Sequence, residues 1–360
     1  MKFRLLFLVV ILLFLSCKKE VSFIPKDFTK VEIEELITDS LLNVRALELL
    51  KNDEGCIFLS SVGEGGLIIE GINGDKKSNS SKVYGYFEKM KGVNIELNYR
   101  AVATTKNGEF GLTIGSPAYL LRAAHESLDT VYKEIHPKAF YDSMEFWNDE
   151  EGIAIGDPTE DCMSIIITRD GGNSWVKLSC EDLPKALEGE AAFAASDTNI
   201  AIVGDHTWVA TGGKASRILY SPDKGETWEV YETPIIQGKE TTGMYSIDFY
   251  DELNGFAIGG DYTKADDNAA NKIRTSDGGK TWELVAQNEN PGYRSCVQYV
   301  PNSKGKALVA IGFKGIDYSN DSGNSWKHLS EEGFFTLRFL NDSTAYAAGY
   351  GRVAKLTFRE

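Results

Sequence analysis

The sequence predicts an all-β fold in which one four-stranded unit is repeated around an axis, and three features predict it. An eight-residue run occurs four times, as TRDGGNSW (168–175), SPDKGETW (221–228), TSDGGKTW (275–282) and SNDSGNSW (319–326). A second pattern precedes each run: a strand, a turn rich in Asn, Asp or Gly, and a strand of small apolar residues ending in Gly and a polar residue. The third feature is composition, with 35 glycines, 9 prolines and 11% aromatics in 360 residues, which suits many short strands joined by turns.

Each run sets an Asp two residues before a Gly and five before a Trp. The Asp carboxylate is suited to accept turn N–H groups, the Gly to take positive φ cheaply, and the Trp to bury a large apolar face against the next unit. β-Rich segments enter and leave the run, so it reads as the turn between the third and fourth strands. Asp170 and Trp175, Asp223 and Trp228, Asp277 and Trp282, and Asp321 and Trp326 resemble the Asp-box, or BNR, repeat. That resemblance implies a β-propeller, in which the box closes the outer hairpin of a blade.

The second pattern is clear at 143–157, 191–205 and 246–261, weaker at 100–116, 295–312 and 336–349, and begins at 44–63. Seven units follow, hence a seven-bladed β-propeller. The seventh unit ends at residues 351–358 without a fourth strand, and the alternating segment TKVEIEELI (29–37) has no hairpin partner nearby. This N-terminal strand is therefore expected to complete the last blade and close the ring. The boxes of units one and two are degenerate.

The N-terminus carries Lys2 and Arg4, an apolar run over 5–15 and Cys17. It reads as a secretory signal of residues 1–16. FLSC (14–17) resembles the bacterial lipobox, with Phe14 where Leu is usual, which implies lipidation at Cys17. A polar tether over 17–28 then precedes the propeller at 29–360. Lys18 after the Cys favours the outer membrane of a bacterial cell envelope. In such a compartment disulfides persist, and Cys162 and Cys180, equidistant from Gly171, are expected to pair across one hairpin, with Cys56 and Cys296 free and buried.

Formal charge is −15, or −17 once the two charges of residues 1–16 are removed (−15 − 2), which excludes nucleic acid as a partner. The four histidines show no metal-ligand spacing, and GEGGLI (63–68) lacks the glycine spacing of a dinucleotide site. No metal and no cofactor are expected, and the chain is read as a monomer.

Candidate chemistry lies on the face opposite the boxes, in loops after the second strand and between blades. Asp142, Asp157, Glu190 and Asp261 are the candidate catalytic carboxylates of a glycoside hydrolase, which needs two acids at a suitable separation. For Asp157, Asp205 and Asp261 the alternative is the capping of a turn. Glu64, Asp205, His206, Trp208, Tyr262, Tyr293 and Arg294 are ligand-binding candidates. Trp208, in the insertion HTWVATGGKAS, reads either as a stacking platform or as a lid on its own blade. Arg294 either binds an anion or pairs with a carboxylate.

Coupling of the small-residue strand to the box over 255–282 is similar to the photosystem II stability/assembly factor-like propellers, well over 140–358 and poorly over 29–139. Those propellers hold a membrane-protein partner through a basic arginine patch, and an acidic chain does not inherit that patch. The resemblance implies a non-catalytic scaffold that binds an envelope protein or a glycan on the loop face, with the hydrolase as the alternative.

Overall fold

The computed structural model of the chain describes residues 25–50, 55–60, 65–69, 97–124 and 127–360. Cys17 and Glu64 lie outside them. The described residues form six antiparallel sheets, one fewer than the seven units read from the sequence. The difference lies in one strand, Lys30–Leu49. Its residues 30–38 pair with 352–359 of the C-terminal strand Thr344–Arg359, and its residues 44–49 pair with Gly55–Ser60. The first and last units thus share a strand and form one five-stranded sheet. That sheet turns on itself, so that Val44, Leu47 and Phe58 of one half are buried against Tyr346, Ala348 and Val353 of the other.

The remaining sheets have the innermost strands Tyr99–Thr105, Tyr141–Phe146, Ile200–Val203, Thr242–Phe249 and Cys296–Tyr299, and the short strands Glu190–Ala191 and Gly212–Gly213 extend the sheet of Thr242–Phe249 to six strands. Neighbouring sheets bury apolar faces against each other in the same order. Ile153, Ile165 and Ile167 meet Val209 and Leu219, and Trp208 and Ile218 meet Phe249 and Ile273. Phe256 and Ile258 meet Val297 and Leu308. Small residues such as Ala154 and Ala257 sit fully buried on the second strands, where the sheets converge and larger side chains would not fit.

The four repeated turns share one geometry. In the first, Thr168 Oγ1 donates to Asp170 Oδ1 (2.9 Å) and accepts from Gly172 N (3.0 Å), while Ser174 N and Oγ donate to the two carboxylate oxygens (2.9 and 2.7 Å). Asp223, Asp277 and Asp321 accept equivalent sets. The indoles of Trp228, Trp282 and Trp326 donate to the turn glycine three residues back (3.1, 2.9 and 3.1 Å). Trp175 is instead buried edge-on against Phe110 and Phe146. Cys162 and Cys180 form a disulfide with Cα atoms 5.4 Å apart, beside the strand Ser164–Thr168, and Cys56 and Cys296 are buried thiols outside any disulfide.

Residues 192–199, read from the sequence as an inner strand and its turn, form no strand. They run through the centre of the molecule and fill its axis. Asp197 Oδ2 and Oδ1 accept the amides of Val102 (2.8 Å) and Met144 (3.0 Å), and its carbonyl accepts Arg338 Nη2 (2.8 Å). Ser196 Oγ donates to Ser295 O (2.6 Å) and its carbonyl accepts Thr336 Oγ1 (2.7 Å). Thr198 Oγ1 donates to Ser246 Oγ (2.8 Å) and its carbonyl accepts Ile247 N (2.9 Å). Three consecutive residues thereby bind the strands Tyr99–Thr105, Tyr141–Phe146, Thr242–Phe249 and Thr336–Phe339, the last in the shared terminal sheet, and Ser295 just ahead of Cys296–Tyr299. Asp197 holds φ at 58°, a left-handed conformation that Asp tolerates better than most residues.

Replacing Asp197 by Ala strands two buried amides and leaves a residue ill suited to that φ. We expect a loss of about 2–5 kcal/mol in chemical denaturation, with Asp197→Asn costing less because one acceptor survives. A change below about 0.5 kcal/mol for Ala, the scale of an ordinary surface substitution, would show that the axis is not held this way.

Candidate functional site

In a four-stranded antiparallel unit, the turns between strands one and two and between strands three and four share a face with the four Asp-containing turns. Loops after the second strand and between units occupy the other face, here called the loop face. The central segment divides the axis between two clefts, one on each face.

The loop-face cleft, about 460 Å³ in volume, is built by a repeated irregularity. Four innermost strands carry a one-residue register shift at the same place, between Val44 and Ala46, Tyr99 and Ala101, Tyr141 and Ser143, and Met244 and Ser246. Such a bulge re-aims one side chain, and the bulged residues are Arg45, Arg100, Asp142 and Tyr245. Arg45, Arg100 and Tyr245 line the cleft, whose walls are Phe193, Tyr262, Tyr293, Phe313 and Phe335. Phe193 and Tyr245 stack at 3.9 Å, Tyr293 meets Tyr245 edge-on at 4.8 Å, and Arg45 lies over the Phe335 ring at 3.9 Å. Tyr262 and Phe313 remain 49% and 43% exposed, so two rings stand proud of the rim. The floor is the central segment, whose Ala195 and Ala194 carbonyls accept Arg45 Nη1 (3.2 Å) and Arg100 Nη1 (3.4 Å).

The candidate carboxylates separate into distinct roles. Glu190 is buried and fully occupied by Arg217 (Nη2 to Oε2, 2.6 Å), Thr211 Oγ1 (2.7 Å) and Leu187 N (2.9 Å). Asp261 caps a single helical turn, Tyr262–Lys264, accepting Thr263 N (3.0 Å) and Oγ1 (2.6 Å). Burial raises its pKa, but the bonds from Thr263 and Thr241 outweigh burial and hold it below the usual range. Asp157 accepts Ala192 N (2.8 Å), anchoring the start of the central segment, and burial pushes its carboxyl up to about 6. Asp142 is wholly buried, and desolvation together with the charge of Asp157 pushes its carboxyl well up against the pull of Arg100.

Four ligand-binding candidates do not reach the cleft. The structure pairs Ile200–Val203 with His206–Ala210, so Gly204 and Asp205 form the tight turn between strands one and two, on the face of the Asp turns. Asp205 and His206 follow it there, and His206 Nδ1 meets the Tyr220 hydroxyl at 2.6 Å. Trp208 is neither a platform nor a lid. It is fully buried, stacked on Phe249 at 3.7 Å, with Nε1 donating to Gly278 O (2.8 Å). Arg294 is locked to Asp317 (Nη2 to Oδ2, 2.5 Å) and to the Tyr293 carbonyl (Nη1, 2.8 Å). Tyr262 and Tyr293 alone of the ligand-binding candidates line the cleft.

Sequence reasoning missed Arg45, Arg100, Phe193, Tyr245, Phe313 and Phe335. The available signal was alignment of the inner strands, which sets Arg45, Arg100, Asp142, Tyr245 and Arg294 at one position. Among the described residues no group of three or more His, Cys, Asp or Glu side chains is placed to hold a metal.

No family model and no curated protein matches the chain. Solved structures do. YCF48 bound to D1 peptide superposes with a TM-score of 0.61 at 12% identity, covering 94% of this chain and 98% of that one. YCF48 from Cyanidioschyzon merolae gives 0.63 at 11% identity over 91% and 98%. The WD40 repeats of RRP9 give 0.61 at 11% identity over 94% and 99%. The fold is a β-propeller. At such identities the likeness concerns architecture, and function has to be argued from the site.

A carboxyl whose folded pKa is raised makes the fold bind its proton more tightly than the unfolded chain does. Asp157 therefore withdraws stability as pH rises from about 4 towards about 6, and the deficit persists above that range. Asp157→Asn keeps the acceptor for Ala192 and removes the ionisation. Its stability relative to the parent should grow between those pH values and then level off in urea titrations; a difference constant with pH would contradict the assignment.

Proposed function

We propose that this chain is a non-catalytic scaffold of a bacterial cell envelope, lipid-anchored at Cys17 in the outer membrane, that holds a segment of a partner protein at the loop-face cleft. The observation that carries the reading is the wall of that cleft. It is closed at its base by the central segment and lined by aromatic rings of which Tyr262 and Phe313 protrude. Exposed aromatic rings with a fixed backing are what protein recognition sites use as anchors. The glycoside hydrolase alternative draws less support, because Glu190 is spent on Arg217, Asp261 on its cap, and Asp142 has no exposed surface. A glycan is the second ligand class, and a continuous aromatic wall favours a protein over it.

The comparison with YCF48, seen bound to D1 peptide, supports a peptide-holding role for a propeller of this architecture. We also read the four repeated turns as Asp boxes, on their common Asp and Gly geometry and, in three of them, the same indole bond to the turn glycine. The pairing of residues 30–38 with 352–359 is read as the closure that ties the two chain ends together.

A photo-crosslinking amino acid at Tyr262 in living cells should give a discrete protein adduct. The same group at Leu253, exposed in the turn between Thr242–Phe249 and Gly255–Asp261 and so on the opposite face, should not. Equal adducts at both positions, or none at Tyr262, would overturn the reading.

A further inference from the structure

We propose that the base of the loop-face cleft is a receptor for a single carboxylate borne on an aromatic body, with Arg45 and Arg100 as its two guanidinium donors. The proposal rests on the reading of the loop face as the binding face and names the chemistry that would be recognised there.

Two arginines arrive in one cleft from separate sheets, each delivered by a bulge at the same position of its strand. They are side by side, since they donate to successive carbonyls, Ala195 O and Ala194 O. The chain treats its fully buried arginines differently. Arg217 is paired with Glu190, Arg294 with Asp317 and Arg338 with Glu48. Among the described residues neither Arg45 nor Arg100 forms an ion pair with a carboxylate, and Arg45 Nε is buried with no acceptor. Burial and the adjacent Arg45 charge lower Arg100 to about 10, with Asp142 opposing.

Two neighbouring cations partly withdrawn from water with no paired carboxylate are costly, and an anion that bridges them removes much of that cost. A planar carboxylate matches the fork of a guanidinium. The surroundings restrict what carries it. Asp157 and Glu240 line the same cleft and would repel a polyanion. Phe193, Tyr245, Tyr293 and Phe335 offer ring faces and edges to an aromatic group. Such a carboxylate has two sources, a free aromatic acid or the C-terminus of a polypeptide ending in an aromatic residue.

The test is calorimetric titration of the full chain with 3-phenylpropionate, its amide, and acetyl-Ala-Ala-Phe as free acid and as C-terminal amide. The acids should bind and the amides bind at least about tenfold more weakly. Arg45→Gln and Arg100→Gln, shown folded by their melting curves, should each weaken the acids by at least about tenfold. Should either fail to fold, Arg→Lys at the same position keeps the charge, loses the fork, and should still weaken binding. A tripeptide acid about tenfold tighter than 3-phenylpropionate assigns a chain terminus, and equal affinities assign a free acid. Acid and amide binding alike, no acid binding at about 10 mM, or folded variants that bind as the parent does would overturn the proposal. A Tyr262 crosslink that persists in that event would leave the binding face standing and remove only the carboxylate receptor.

Discussion

Innermost strands of radially arranged sheets have one edge without a neighbour, and their amides need acceptors from somewhere. In this chain Asp197 supplies them. Its two carboxylate oxygens take the amides of Val102 and Met144 from adjacent sheets, while Ser196 and Thr198 bind two further inner strands and Ser295, just ahead of a third. Groups that water would otherwise have to solvate along an axial channel are thereby satisfied within the protein. The same residues give the six sheets a common hub. Without it each sheet would touch only its neighbours, as in an open array.

The hub also sets what the loop face can do. Closing the axis turns a channel into a cleft with a floor, and that floor offers the carbonyls on which Arg45 and Arg100 rest. The bulges then matter, because a regular strand would direct the next side chain into the sheet–sheet interface. A one-residue shift at equivalent places points Arg45, Arg100 and Tyr245 at the axis instead. The aromatic wall is rigid for a related reason. Phe193 belongs to the central segment, stacks on Tyr245, and lies so close to Gly212 that a Cβ there would meet its ring at 2.2 Å. Preorganised walls of this kind lower the entropic cost of binding a flexible partner.

Much of the fold was legible because its signals are local and repeated. An Asp, a Gly and a Trp at fixed offsets specify a turn whatever surrounds it, and the four copies share that turn geometry. The terminal sheets were harder, because a strand that serves two partners carries no mark of where one pairing ends and the next begins. Residues 191–205 misled for a specific reason. The segment IAIVGD copies the second-strand pattern of IAIGD (153–157), so Gly204 and Asp205 were placed on the loop face. The structure makes that segment a first strand and spends the eight residues before it on the axis. Nothing periodic distinguishes such a segment from a strand, since its hydrogen bonds go to residues up to 141 positions away. The candidate site was legible only at Asp157, Tyr262 and Tyr293 for the same reason. A bulge has no sequence signature of its own, and Arg45 and Arg100 look like ordinary strand residues until the inner strands are superposed.

The central claim is that residues 194–198 are a structural hub and not a loop resting in a channel. Hydrogen exchange resolved to single amides tests it directly at Val102 and Met144, whose N–H groups would face channel water if the segment were loose. Both are expected to exchange only through global unfolding, with protection equal to that of the most buried second-strand amides such as Ile155 and Ile258. Exchange of either amide at rates typical of exposed strand edges, while Ile155 and Ile258 stay protected, would contradict it.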